Sequence, residues 1–481
     1  MRRTTALLLV ATLLAVAPLS PALARRSSAK VAPVVGETGV LGQHLSGDDI
    51  AAGRLSFAQI FQAGRKLFVA KFNVLDGQGR PAATGNGVPT LRDPSHDQGF
   101  LRTSGPDANS CAGCHNEPRA GGGGDFVANV FVLAQVRDPV TFDVREADER
   151  NTLGMFGSGA IELLGREMTD DLVAIRAAAI TAAAAASDIT RTLVTKGVSF
   201  GRITARADGS VNTSEVQGVD ADLIVKPFHQ KGVVRSIREF TVNAMNHHHG
   251  MQAVERFGVE RTGTADFDQD AVADELSIGD ITATTIFQAA MATPVQILPK
   301  DPVRKKAALR GGALFETIGC ASCHKPSLVL ENPEFCEPYA RNPPGTFNDT
   351  TKSYCFDLTR DGETPLLGRG RGNTAVVRAY TDLKRHVICD AEHPVYCNET
   401  LVQGGVPTDQ FLTRKLWDAG SSAPYGHRGD LTMLTEAVLA HGGEADGIRA
   451  NFETLAAGDQ AAVIEFLESL RVVDKTRLAK H

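Results

Sequence analysis

Beyond its first two dozen residues the chain has no apolar run of membrane length, which argues against stable insertion of the mature protein in a bilayer. It has no basic surplus either: 50 Lys and Arg stand against 56 Asp and Glu, and a net charge of −6 argues against nucleic acid as a partner. The glycine run Arg119-Ala-Gly-Gly-Gly-Gly124 lacks the Lys-Ser/Thr pair and the preceding strand of a phosphate loop, so nucleotide chemistry has no foothold there. Few segments alternate apolar and polar residues cleanly, which speaks against a β-rich fold. Tryptophan is reduced to a single residue, Trp417.

What the chain does have is one pentapeptide twice: Cys111-Ala-Gly-Cys114-His115 and Cys320-Ala-Ser-Cys323-His324. Cys-x-x-Cys-His is the attachment signature of covalent haem c. Two thioether bonds anchor the vinyl groups, and the following histidine ligates the iron from the proximal side. A structural zinc site would need further ligands at matching spacing, and a redox Cys-x-x-Cys has no use for a trailing histidine in both copies. Two covalently bound haems c are therefore expected.

Arg2 and Arg3 precede an apolar run from Ala6 to Ala17 and an Ala22-Leu23-Ala24 terminus, the pattern of a secretory signal peptide over residues 1–24. That places the mature protein in the periplasm, where haem c is attached. Cys336, Cys355, Cys389 and Cys397 remain after the haem motifs, an even number that suits disulfides in an exported protein. Three pairings exist, and the short loops favour Cys336–Cys355 and Cys389–Cys397.

The polar segment 25–50 reads as a linker. Residues 56–72 carry helical spacing, and a Gly/Pro-rich stretch, 76–109, leads into the first motif. Ala307 to Phe315 reads as a helix that runs through Gly319 into the second, which is how small cytochrome c domains begin. Helices are also expected over Thr169–Ala186 and Ile278–Met291, and a hairpin over Asp208–Thr213. The Pro-rich segment Thr293–Pro302 is the natural boundary. The expected fold is mainly α: a haem domain over 51–295 and a second over 296–481, both cytochrome c-like, with long loops and few short strands.

The sixth ligand of each iron decides between electron transfer and catalysis. Ala423-Pro-Tyr-Gly-His427-Arg-Gly429, followed by Leu434-Thr-Glu-Ala-Val438, resembles the bacterial di-haem cytochrome c peroxidase superfamily. That group includes the enzyme maturing the tryptophan-derived cofactor of methylamine dehydrogenase and the rubber-cleaving di-haem oxygenases. Phe156-Gly-Ser-Gly-Ala-Ile-Glu162 and Tyr380-Thr-Asp-Leu-Lys-Arg-His386 look more like its di-haem, thiol-oxidoreductase-like branch. The resemblance extends over most of residues 60–470.

The resemblance implies a distal ligand for the second haem about fourteen residues beyond His427, at His441, where a helix over Thr432–Ala440 ends in Gly442-Gly443. A His324/His441 pair would make that haem low-spin. For the first haem, with His115 proximal, it implies an open face beside a catalytic glutamate, best matched by Glu162 and next by Glu167. Met155 or Met168 at that iron would instead make it an electron carrier. The family's relay tryptophan in the N-terminal domain is absent. Trp417 stands in for it or packs in a core, and His427, Tyr380 and His386 are candidates near the second haem. The His247-His248-His249 run reads as a solvated turn before Gly250. The resemblance also implies calcium, with no assignable ligands. The implied activity is reduction of hydrogen peroxide at the first haem, fed through the second by a small redox protein. Alternatives are oxidation of an organic or protein substrate with dioxygen, or pure electron transfer.

Overall fold

Ser56 opens the first long helix with a capping box: its hydroxyl accepts the Gln59 N–H, and the Gln59 side chain accepts the N–H of Ser56. The computed structural model describes residues 36–79, 108–124, 127–129, 149–185, 187–399 and 402–473. The expected signal peptide and most of the Gly/Pro-rich stretch lie outside them. Gly39–His481 forms one compact unit. Its main helices are α1 (Gly47–Ala51), α2 (Phe57–Val69), α3 (Ser158–Ala183), α4 (Ile237–Ala244), α5 (Ile278–Ala289), α6 (Pro302–Thr317), α7 (Leu434–Leu439) and α8 (Ala457–Glu468).

The mainly-α expectation is corrected. Of the described residues 37% are helical and 15% lie in strands, and the fold is mixed. The strands escaped notice because most are two to four residues long, too short for a period-2 pattern to register. The longest pairing is the meander β1 (Ile189–Thr195), β2 (Val198–Ala205), β3 (Val211–Asn212), which contains the expected turn at Asp208-Gly209. Elsewhere Glu334–Glu337 pairs with Tyr354–Asp357, setting Cys336 opposite Cys355. Both favoured disulfides, Cys336–Cys355 and Cys389–Cys397, are present.

The proposed boundaries fall inside packed regions. Residues 39–50 are tied down: Leu41 N–H donates to Asp76, Leu45 N–H to Asp280, and Ile50 of α1 is buried. Val295–Gln296 pairs with Leu470–Arg471 from the end of the chain. Leu328, Leu330, Phe335 and Phe356 share one buried cluster with Ile60, Leu164 and Ile286. The second half of the chain thus completes the core of the first.

A duplication underlies the helices. Gly64 brings α2 so near α5 that a Cβ there would fall 1.9 Å from the Ala283 carbonyl oxygen and 2.8 Å from Phe287 Cβ. Gly311 does the same for α6 on α8, at 1.8 Å from the Ala462 oxygen and 2.9 Å from Phe466 Cβ. One turn on, Phe68 meets Phe287 at 5.3 Å and 55°, and Phe315 meets Phe466 at 5.3 Å and 54°. Phe68 stands 6.4 Å from His115, and Phe315 stands 6.3 Å from His324.

A third helix joins each pair, α4 against α5 and α7 against α8. Each has a glutamate in its first turn accepting backbone N–H groups: Glu239 from Arg235, and Glu436 from Thr432 and Met433. Counted from the first residues, Ile237 and Leu434, Ala244 holds the place of His441.

Candidate functional site

The first motif forms a single helical turn, Cys111–Cys114, on the wall of a cavity enclosing about 1450 Å³ of atom-free space, mouth included. His115 Nδ1 donates to the Leu153 carbonyl at 2.9 Å, which fixes the tautomer and leaves Nε2 for a metal. Burial pushes His115 down to about 4, so the ring is the neutral ligand form at neutral pH. Burial also pushes the Cys111 thiol up to about 12, the opposite of a reactive thiolate.

The second motif repeats the arrangement around a cavity of about 1520 Å³. His324 Nδ1 donates to the Tyr380 carbonyl at 3.1 Å; Tyr380 adopts φ +54°, a left-handed conformation that non-glycine residues rarely take, and so turns that carbonyl toward the ring. Burial lowers His324 to about 4. From the far side comes His441, whose Nδ1 donates to the Ala437 carbonyl at 2.7 Å, again freeing Nε2. The two ring centroids are 6.5 Å apart. Two imidazoles ligating one metal from opposite sides at about 2.0 Å would have centroids roughly 6.3 Å apart. The residues present thus fit a bis-histidine haem. Of the described cysteines, the four outside disulfides are those of the two motifs, and all four stand on cavity walls.

The two cavities share a wall made of Asn151–Leu153, Gln230 and Leu412–Lys415. Lys415 Nζ clamps it by donating to the Gly154 carbonyl at 2.6 Å and to Asp418 at 3.1 Å. Desolvation brings that amine down to about 8. Thr381, next to the carbonyl that holds His324, lines the first cavity and donates to Thr413 O at 2.7 Å.

Glu162 is placed differently from its expected role. It is fully buried but does not line the first cavity. One oxygen accepts from the Arg166 guanidinium, and the other takes the Ile237 N–H at 2.7 Å, starting α4. Arg166 sits one helical turn along α3 and draws the carboxylate off the cavity face. Glu167 caps the backbone of Glu331 and Asn332 and pairs with Lys196. Met155 lines the cavity, whereas Met168 is buried in the core away from it.

Trp417 lines neither cavity and packs on Gly157, where a Cβ would fall 2.4 Å from its ring. Gly159 serves packing as well, its missing Cβ leaving room for the Ala289 carbonyl at 2.3 Å. The histidine run is a π turn rather than a solvated one, with His249 buried and 3.5 Å from Cys111 Sγ. His386 lines the second cavity; burial opposes its charge, but Asp382, the Cys323 sulfur and Glu444 together raise it to about 10. Asp266, Asp268 and Asp270 bring carboxylate oxygens within 4.8 Å of one another, a donor set suited to a hard divalent cation.

Sequence reasoning missed His229, Phe240 and Ala244, all on the first cavity. The signal was present: Arg-Glu-Phe at 238–240 and Thr-Glu-Ala at 435–437 put a glutamate at the same point of two duplicated helices. Among the described residues no helix is long and apolar enough to cross a membrane. No protein-family model matches the chain, and neither does any curated protein.

Proposed function

We propose that the chain is an exported di-haem c-type oxidoreductase of the di-haem peroxidase kind, open at its first haem and bis-histidine at its second. The observation that carries this reading is the duplication: Ala244, which has no ligand atom, takes the place that His441 takes in the second frame. The Phe240 ring stands 6.4 Å from His115 at 74°, close to the His324–His441 relation of 6.5 Å and 66°, and a benzene ring cannot ligate iron.

Bound haem supplies two one-electron centres, the first of them accessible to peroxide or dioxygen. Around it His115 fixes the proximal side through Leu153, while Phe68, Ile161 and Phe240 keep the cavity apolar. His229, pushed down to about 3 by burial, is a neutral imidazole on the same wall and takes up and returns the peroxide proton in place of Glu162. With haems bound, electrons supplied by a small redox protein would pass across the shared wall; the Leu153 carbonyl in that wall and the Tyr380 carbonyl beside it hold His115 and His324.

A second reading is favoured by one feature. No described residue lining the first cavity is a carboxylate, and Phe68, Met155, Ile161, Phe228, Phe240 and Leu383 give its wall a large apolar part, which suits dioxygen chemistry on an apolar organic substrate. Low-temperature electron paramagnetic resonance on the oxidised, haem-loaded protein tests the common part. One high-spin and one low-spin iron are expected. Two low-spin irons, persisting on half-reduction, would leave electron transfer as the function. With one open iron, turnover of peroxide against dioxygen uptake separates the two chemistries.

A further inference from the structure

His427 is 3% exposed, on the wall of the second cavity, with its ring 4.6 Å from that of Phe411. Neither ring nitrogen makes a hydrogen bond among the described residues. A buried imidazole left in that state is costly, and since no described residue completes it, a group held in the second cavity is a fitting partner.

The surroundings say what kind of group. Arg150 and Lys231, both buried, flank Glu399, which is buried between them. Arg150 donates to Glu399 at 3.0 Å and to Gln403 at 3.3 Å. Lys231 donates to the carbonyls of Pro407 and Thr408 and lies 4.0 Å over Phe411. Glu399 comes within 3.6 Å of His427 Nε2. Two cations against one carboxylate leave a positive surplus. Burial, together with Arg150, Arg428 and Lys231, holds His427 near 2, so its ring is neutral and sits in a positive field. A neutral N–H donor in a positive field is the complement of a carboxylate.

We propose that His427 donates a hydrogen bond to a propionate carboxylate of the second haem, in the field of Arg150 and Lys231, and thereby sets that haem's reduction potential. This rests on the two-haem reading above and deepens it. His427 is a positioning residue. By drawing propionate charge away from the iron it favours the ferrous state, and Glu399 moderates the effect.

The test uses the haem-loaded protein and begins by counting covalent haems in the wild type. Fewer than two would overturn the two-haem reading itself, and this proposal with it. With two haems in place, His427→Phe is expected to shift the reduction equilibrium of the low-spin haem about tenfold toward ferric. That corresponds to about 59 mV for one electron. The propionate bending modes in the resonance Raman spectrum move with it, while the low-spin signal persists. His427→Gln, which keeps a donor, stays near wild type in both readouts. Glu399→Gln shifts the equilibrium the other way, also about tenfold, and answers the question if the phenylalanine variant does not hold both haems. An unchanged potential and unchanged modes in His427→Phe would overturn the proposal. So would an equal shift in His427→Gln, or no upward shift in Glu399→Gln.

Discussion

Alanine in place of Gly311 puts a methyl group where α6 crosses α8, 1.8 Å from the Ala462 oxygen and 2.5 Å from its carbonyl carbon. An ordinary contact of about 3.5 Å then requires the helices to part by roughly 1.5 Å, and a gap of that order forfeits about half of each contact it opens. Overpacking costs about 1–3 kcal/mol, and alanine's helix propensity returns about 1 kcal/mol. The parted pair includes Phe315 and Phe466, which support His324, so the net cost falls at about 2 kcal/mol. Gly64→Ala meets nearly the same atoms at nearly the same distances and costs the same. Denaturant unfolding of the haem-loaded variants gives the magnitude, and electron paramagnetic resonance gives the address. Gly311→Ala broadens the low-spin signal, and Gly64→Ala alters the high-spin one. A neutral or stabilised Gly311→Ala, the sign that helix propensity alone gives, would refute the close crossing. Equal disturbance of both haems by either variant would refute the duplication.

Ala244→His supplies the ligand that the first frame lacks, and is expected to convert the high-spin signal to low-spin and abolish reaction with peroxide; a persisting high-spin iron would show that Ala244 does not face it. Glu162→Gln removes the carboxylate nearest the Arg166 guanidinium, leaving it the Cys336 carbonyl and Glu337 at 3.8 Å, and should lower stability by about 3 kcal/mol, read from the denaturation midpoint; an unchanged midpoint would contradict the ion pair. His44 contributes one part of the pH dependence. Its hydrogen bond to Asp280, against some desolvation, raises it above 6.5. The folded chain therefore binds that proton more tightly than the unfolded one, and the stabilisation is complete below 6.5 and lost as pH rises through the raised value. Melting temperature should fall across that window in wild type and fall less in His44→Gln, where the loss from His386, raised to about 10, remains.

The repeated Cys-x-x-Cys-His pattern, both disulfides and the helix leading to His441 were legible because each is local, a spacing or a cap within a few residues. His441 needed the resemblance to single it out, and the geometry then gave it a partner in His324. Glu162 was misplaced although its explanation lay four residues along, in Arg166: an i, i+4 pair on a helix is legible in sequence, but which of two partners wins a buried carboxylate is not. The duplicated frame was hidden because it survives as glycine and phenylalanine spacing rather than as repeated text. Phe68 lies far upstream of Cys111, while Phe315 almost touches Cys320 in sequence. The short strands were illegible for a different reason: their pairing is fixed by distant partners, as in Val295–Gln296 with Leu470–Arg471.

The wall between the cavities has a consequence for how the protein is made. Lys415 reaches Gly154 across 261 residues, and the cavity behind Cys111 is not enclosed until Thr381 and Leu412–Lys415 have been synthesised and have docked. Contacts of such separation form late. Cys111, meanwhile, ends up half-buried on the cavity wall, its sulfur 3.5 Å from His249 Nε2. Under the proposed two-haem function, ligation at Cys111 and Cys114 would be easiest on an unfinished chain, before Thr381 and Leu412–Lys415 have docked. On that reading ligation would come first and closure second. A variant that folds too fast in the region of residues 381–415 would emerge well packed and unloaded.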